Sequence, residues 1–213
     1  MLPFVLRISW EALLACRTVA RVMEYRPMRI AITGAHGVGK STLARRLSDA
    51  LELPELPTPG RTLAARGLPV NEAATVTSQL VAWFLQYRFE RERTAWVASR
   101  SLVDVWAYTV LAAARTGIDP VERALMDELA RVTPLAIAGS YDWLLYVPPT
   151  IPLVADDVRA GDASFQRATD DAIRRALADW DVPHVRVDVS NTEAVTKLID
   201  VLSVPSAVES ERG

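Results

Sequence analysis

The 213-residue chain is half hydrophobic and 23% charged, with a net charge of −2; this suits one globular domain with a sizeable core and excludes a disordered chain or a general nucleic-acid-binding surface. A single cysteine, Cys16, excludes an internal disulfide framework and a cysteine-rich metal site, and two histidines, His36 and His184, are too few for a histidine-built zinc site. A reducing cytoplasm is the default compartment.

Leu2 to Met23 is apolar but interrupted by Arg7, Glu11, Arg17 and Arg21. It lacks the roughly 18 uninterrupted apolar residues of a membrane span and the ordered regions of a signal peptide. Leu6, Trp10, Leu13, Leu14 and Val22 would share one helix face, and Pro27 would end that helix. Residues 1–28 therefore read as an extension upstream of the domain's own start or, less favoured, as an appended helix packing on the domain or on a partner. The domain is expected over residues 29–204, followed by a disordered tail at 205–213.

Arg29 to Thr33 is predicted as a short buried strand, and Ser41 to Leu47 opens an amphipathic helix. Between them, Gly34-Ala35-His36-Gly37-Val38-Gly39-Lys40-Ser41 fits the phosphate-loop pattern G-x-x-x-x-G-K-[ST]. Its glycines let the backbone wrap a phosphate, its N–H groups form an anion nest, and the helix N-terminus adds partial positive charge. Lys40 would reach the β- and γ-phosphates of ATP, and Ser41 would offer its hydroxyl to Mg²⁺. The nucleotide-binding stretch is thus Gly34, Ala35, His36, Gly37, Val38, Gly39, Lys40, Ser41 and Thr42. No catalytic role is expected of His36. Lys40 and Lys197 are the only lysines among 24 basic residues.

Leu53 to Asn71 reads as a short second strand near Leu56 and a loop holding Arg61. Asn71 is expected to cap a long helix from Glu72 to about Thr94, with Val76, Leu80, Trp83, Phe84 and Tyr87 at helical spacing. A strand over Ala95 to Ala98 follows, then helices over Leu102 to Arg115 and Val121 to Val132, a strand over Trp143 to Val147, a helix over Ser164 to Trp180, and a strand over His184 to Val189. Asn191 would cap a closing helix through Leu202. Strands alternating with helices predict an α/β fold, a doubly wound five-stranded parallel sheet.

This order of parts resembles the P-loop nucleoside and nucleotide kinase group. Within it, Arg29 to Leu202 is most similar to the kinase domain related to nicotinamide riboside kinase, a family also labelled as AAA-type ATPases. Ser99-Arg100-Ser101-Leu102-Val103-Asp104 resembles the kinases' [DE]-R-S segment with its following aspartate. The resemblance puts Arg100 near the transferring phosphate and Asp104 near a sugar hydroxyl or a metal-bound water. A surface ion pair for Arg100 and a helix N-terminal charge for Asp104 are the plainer alternatives. Pro59-Gly60-Arg61 matches a substrate-facing arginine, with a solvated loop as the alternative. Val154 to Arg159 resembles the start of a mobile lid, from which Arg159 and Arg167 would close on ATP and Asp156 or Asp157 would pair with them. A solvated charged loop is the other reading.

The acceptor pocket would draw on the long helix, through Gln79, Gln86, Tyr87 or Arg88, with Trp83 more readily explained as core. Two residues depart from the family pattern: Ser99 and Thr58 stand where acids are expected. Serine is too weak a base to replace the first, although phosphoryl transfer depends mostly on positioning and electrostatics. The expected function is ATP-dependent phosphoryl transfer to a nucleoside, nucleotide or nucleoside-like small molecule, with Lys40, Arg100, Asp104 and Arg159 catalytic and Thr58, Arg61 and Gln86 toward the acceptor. The alternative is a nucleotide-binding regulatory ATPase. Neither nucleic acid nor membrane is an expected partner, and the resemblance leaves a homodimer open.

Overall fold

Period-two alternation on the central strands sets the layers of the molecule. In β1 (Arg29–Thr33), Ile30 and Ile32 join one core and Ala31 the other; in β3 (Trp143–Tyr146), Leu145 lies with Ile30 and Ile32, whereas Leu144 and Tyr146 lie with Ala31. A sheet apolar on both faces must be covered on both.

This is a computed structural model, and it describes residues 28–151 and 163–203. The expectations for the N-terminal segment up to Pro27, for Asp156, Asp157 and Arg159 of the lid, and for the tail from 205 fall outside the described residues.

Among the described residues, four parallel strands run in the order β2–β1–β3–β4, with β2 at Trp96–Ala98 and β4 at Val185–Arg186. Beyond β2, Glu55 makes a single parallel bridge to Val97. Leu56 N–H donates to Val97 O at 2.8 Å, and Val97 N–H donates to Pro54 O at 3.0 Å. The expected second strand is reduced to this bridge because Pro54 and Pro57, on either side of it, have no N–H to extend a ladder. The doubly wound parallel α/β architecture holds, with four strands and a bridge where five strands were expected.

Helices α1 (Lys40–Leu51) and α7 (Thr192–Ser203) cover the Ile30 face through Leu43, Leu47, Val195, Leu198 and Leu202. The other face packs against α2 (Pro59–Ala64), α3 (Val76–Arg91), α4 (Leu102–Thr116), α5 (Pro120–Ser140) and α6 (Ala163–Asp179). No helix among the described residues is long and apolar enough to cross a membrane.

Three local differences shape the site. Pro59-Gly60-Arg61, expected in a loop, begins α2 with Pro59 preset for the first turn. Asn71 does not cap α3; its φ of 54° starts a 3₁₀ turn, Asn71–Ala73. Thr75 is the cap instead, accepting Ser78 N–H at 3.1 Å while Ser78 Oγ accepts Thr75 N–H at 3.0 Å. Finally, α5 continues past Val132 and through Pro134, because Leu129, Thr133 and Ile137 form a buried stripe and Trp83 Nε1 donates to Thr133 Oγ1 at 2.9 Å. Tertiary packing thus overrides the helix-breaking tendency of proline.

Candidate active site

The phosphate loop runs from the end of β1 into α1. Gly34 adopts φ +153°, and a Cβ there would lie 2.4 Å from Val147 O, so no other residue fits this turn. Gly37 and Gly39 also have positive φ, 74° and 90°. Gly39 is the N-cap of α1 and no side chain caps it, which leaves the first N–H groups of the helix to an anion. Lys40 is buried: its Nζ donates to Gly34 O at 2.5 Å and to Ala35 O, and lies 4.0 Å from Asp104 Oδ1.

A second wall comes from the turn between β2 and α4. Ser101 caps α4, its Oγ accepting from Val103 N–H and Asp104 N–H at 3.2 and 3.3 Å and donating to Asp104 Oδ2 at 2.7 Å. Asp104 returns the cap, Oδ2 accepting Ser101 N–H at 2.9 Å. Its other oxygen accepts Gly34 N–H at 3.3 Å and lies 3.6 Å from Arg100 Nη1. Asp104, 1% exposed, is therefore both the helix N-terminal acid of the plainer reading and the link between Lys40, the loop and Arg100. The Arg100 guanidinium also sits over the Tyr108 ring, 5.1 Å from its centroid.

Behind this turn lies a buried polar network that sequence reasoning missed. Gln86 Nε2 donates to Glu90 Oε1 at 2.7 Å and to Arg100 O at 3.3 Å. Burial pushes the Glu90 carboxyl up to about 8, against the hydrogen bonds of Gln86 and Tyr141 and the charge of Arg29.

The two walls enclose a cleft of about 700 Å³. His36, Gly37, Gly39, Lys40, Ser41 and Thr42 line it from the loop, Thr58 and Arg61 from the start of α2, and Ser99 and Arg100 from the end of β2. Ala35 and Val38 turn into the core, leaving only their backbone for a ligand. A smaller recess of about 50 Å³ adjoins Arg100 and Asp104 and is lined by Gln79, Asn71 and Tyr108. The Tyr108 hydroxyl is buried beside the Arg100 guanidinium. Gln86, expected toward the acceptor, is fully buried away from the cleft lining, and Gln79, about two turns earlier on α3, takes that place. Arg167 is exposed on α6 and is absent from the lining. Its neighbours reach the loop instead: Gln166 Nε2 donates to His36 O at 2.8 Å, and Phe165 stacks on His36 at 5.6 Å.

Among the described residues no group of three or more His, Cys, Asp or Glu could hold a metal ion. The donor set fits a hard divalent cation carried by phosphate oxygens and the Ser41 hydroxyl, and does not fit an all-protein metal cage.

Comparison with known proteins bears on the fold and the family. No curated protein matches significantly. Among solved structures, NadR protein in complex with NAD and AMP-PNP aligns at 17% identity with TM-score 0.63, over 92% of this chain and 53% of that one. NadR protein in complex with NR gives 17% and 0.65 over 92% and 55%. Deoxyadenosine kinase from M. mycoides with bound dATP gives 16% and 0.62 over 83% of this chain and 100% of that one. The chain spans about half the length of the NadR chains it matches. At these identities the likeness is one of fold, that of the P-loop nucleoside kinase-like group. The profile described as an AAA domain matches residues 29–194, and the chain belongs to that family.

Proposed function

We propose that the protein transfers the terminal phosphoryl group of ATP to a small-molecule acceptor of the nucleoside or nucleotide class. The convergence of Lys40, Ser41 and Arg100 on one cleft of about 700 Å³ carries this reading. The family and the fold of its neighbours support it.

In this reading Lys40 exchanges the carbonyls of Gly34 and Ala35 for β- and γ-phosphate oxygens, beside the uncapped N–H groups of α1. Ser41 would hold Mg²⁺, and that ion would supply neutralisation of the negative charge on the transferring group. Arg100, held by Asp104 and Tyr108, steadies that group with directed N–H donors. Asp104 acts by holding Lys40, Arg100 and the loop in register. Thr58 and Arg61 face the acceptor.

The test is ADP release from ATP and Mg²⁺ with a panel of nucleosides, nucleotides and nicotinamide riboside, beside a Lys40→Ala control. Acceptor-dependent ADP that disappears in the control is expected. A second reading, a nucleotide-binding regulator, is favoured by Ser99 and Thr58 standing where the resemblance to the kinase group leads one to expect acids. ATP binding with no acceptor-dependent turnover would replace the first reading with the second.

A further inference from the structure

Two neighbouring residues of α6 grip the phosphate loop at His36. The ring of Phe165 stacks on the imidazole with centroids 5.6 Å apart, and Gln166 Nε2 donates to His36 O at 2.8 Å. Phe165 also meets the Tyr108 ring of α4 edge-on at 5.9 Å. One turn further along, α6 is fixed to the sheet. Tyr146 Oη donates to Asp170 Oδ1 at 2.7 Å, and Tyr146 pairs in register with Thr33, the residue just ahead of the loop. Gln166, Thr169, Asp170 and Ile173 lie on one buried stripe of α6. Gln166 therefore reaches the loop from a rigid base and is itself buried.

The shape of the peptide group says what this bond does. In a trans peptide the C=O and the following N–H point in opposite directions. The His36 carbonyl and the Gly37 N–H belong to one such peptide. Holding His36 O against α6 turns the Gly37 N–H away from α6, and Gly37 lines the cleft. Gly37 has a φ of 74° and no side chain to oppose rotation of the peptide ahead of it. A rotated peptide would aim a carbonyl oxygen, not an N–H, at a bound anion. The two carbonyls just before it, of Gly34 and Ala35, are held by Lys40 Nζ. When Lys40 turns to the phosphates those two bonds are given up, whereas the bond from Gln166 stays.

We infer that Gln166 is a positioning residue for the nucleotide, locking the His36–Gly37 peptide so that the Gly37 N–H donates to the phosphate chain. It touches no phosphate and acts through the loop. A cradle set before the ligand arrives gives up less freedom on binding, which raises affinity. The inference rests on the nucleotide-binding part of the reading above, and it holds for a kinase and for a regulator alike.

The experiment uses the full chain, with NMR-active isotopes at the histidine carbonyl carbons and the glycine nitrogens. His36 precedes Gly37 and His184 precedes Val185, so the selected signal belongs to the Gly37 amide alone. ATP with Mg²⁺ and, separately, inorganic tripolyphosphate with Mg²⁺ are added, and affinities are measured by calorimetry. In the wild type the Gly37 amide proton is expected to move downfield with either ligand, as an N–H does on donating to an anion. Gln166→Met keeps the length of the side chain and removes its donor. It is expected to raise Kd about tenfold for both ligands and to shrink the Gly37 shift. A Gly37 amide that does not respond to bound ATP in the wild type overturns the inference without recourse to any variant. A Gln166→Met protein with a lowered melting temperature but unchanged Kd and Gly37 shift overturns it too, because Gln166 then serves packing alone. Wild-type protein that binds neither ligand overturns the nucleotide reading itself, and the inference with it.

Discussion

Tyr141 bridges Glu90 and the backbone of Leu102: its hydroxyl donates to Glu90 Oε1 at 2.8 Å and accepts Leu102 N–H at 2.8 Å. Gln86 makes the matching link on the other side of the turn, from Glu90 to Arg100 O. One buried carboxyl thereby braces both flanks of the turn that projects Arg100. Tyr141→Phe leaves Leu102 N–H without its partner, at an expected cost of about 1–3 kcal/mol in urea unfolding. Turnover should fall with it, because Arg100 loses its fixed base. An unchanged unfolding midpoint would remove this bracing role.

Glu90 also gives stability a pH dependence. Its carboxyl titrates near 8 in the folded protein, because burial outweighs Gln86, Tyr141 and Arg29, and near 4.5 when unfolded. Below pH 4.5 both states hold the proton, and its contribution is fully present. Between 4.5 and 8 only the folded state retains it, so stability falls as pH rises through that window and levels off above it. The fall amounts to a few kcal/mol, from about 1.4 kcal/mol per unit. Denaturant midpoints measured across this range should show the decline in the wild type and lose most of it in Glu90→Gln. A slope of equal size in the variant assigns the effect to other groups.

Gly34→Ala tests the loop geometry. The added Cβ would fall 2.4 Å from Val147 O at a φ of +153°. The loop must move, and ATP should no longer raise the melting temperature. Retention of a full ATP-induced shift would contradict the geometry described for this turn.

Asp104→Asn removes the charge that faces Lys40 and Arg100 and offers an amide to donors that need an acceptor. Breaking a buried ion pair from one side costs roughly 3–5 kcal/mol. Urea unfolding should show a loss of about that size, with weaker ATP binding measured by calorimetry. Normal stability together with lost turnover would mean that Asp104 acts on the substrate and does not hold the site.

The phosphate loop was legible because its pattern is local: glycines, lysine and serine at fixed spacing between a strand and a helix. The parallel sheet was legible because β1 and β3 carry apolar residues on both faces, as buried strands must. What could not be read depended on contacts across the fold. Gln86 and Gln79 look alike on one helix, and only the packing of α3 against the Arg100 turn buries the first and brings the second to the recess. Pro134 looks like a stop until Trp83 and Thr133 join α5 to α3. Gln166 carries no motif, and its bond to His36 O links residues 130 positions apart.

The two margins of the sheet bear on how copies of this chain meet. On one side, the row ends in the lone Glu55 bridge between two prolines, with Leu56 N–H already given to Val97. On the other, β4 is two residues long before Asp188 turns the chain, its carboxylate accepting from Ser190 and Thr150. Among the described residues, neither margin offers a continuous row of free amides and carbonyls on which a foreign strand could dock. The apolar central sheet is thereby shielded from templated growth, and concentrated solutions of the folded protein should resist fibril formation.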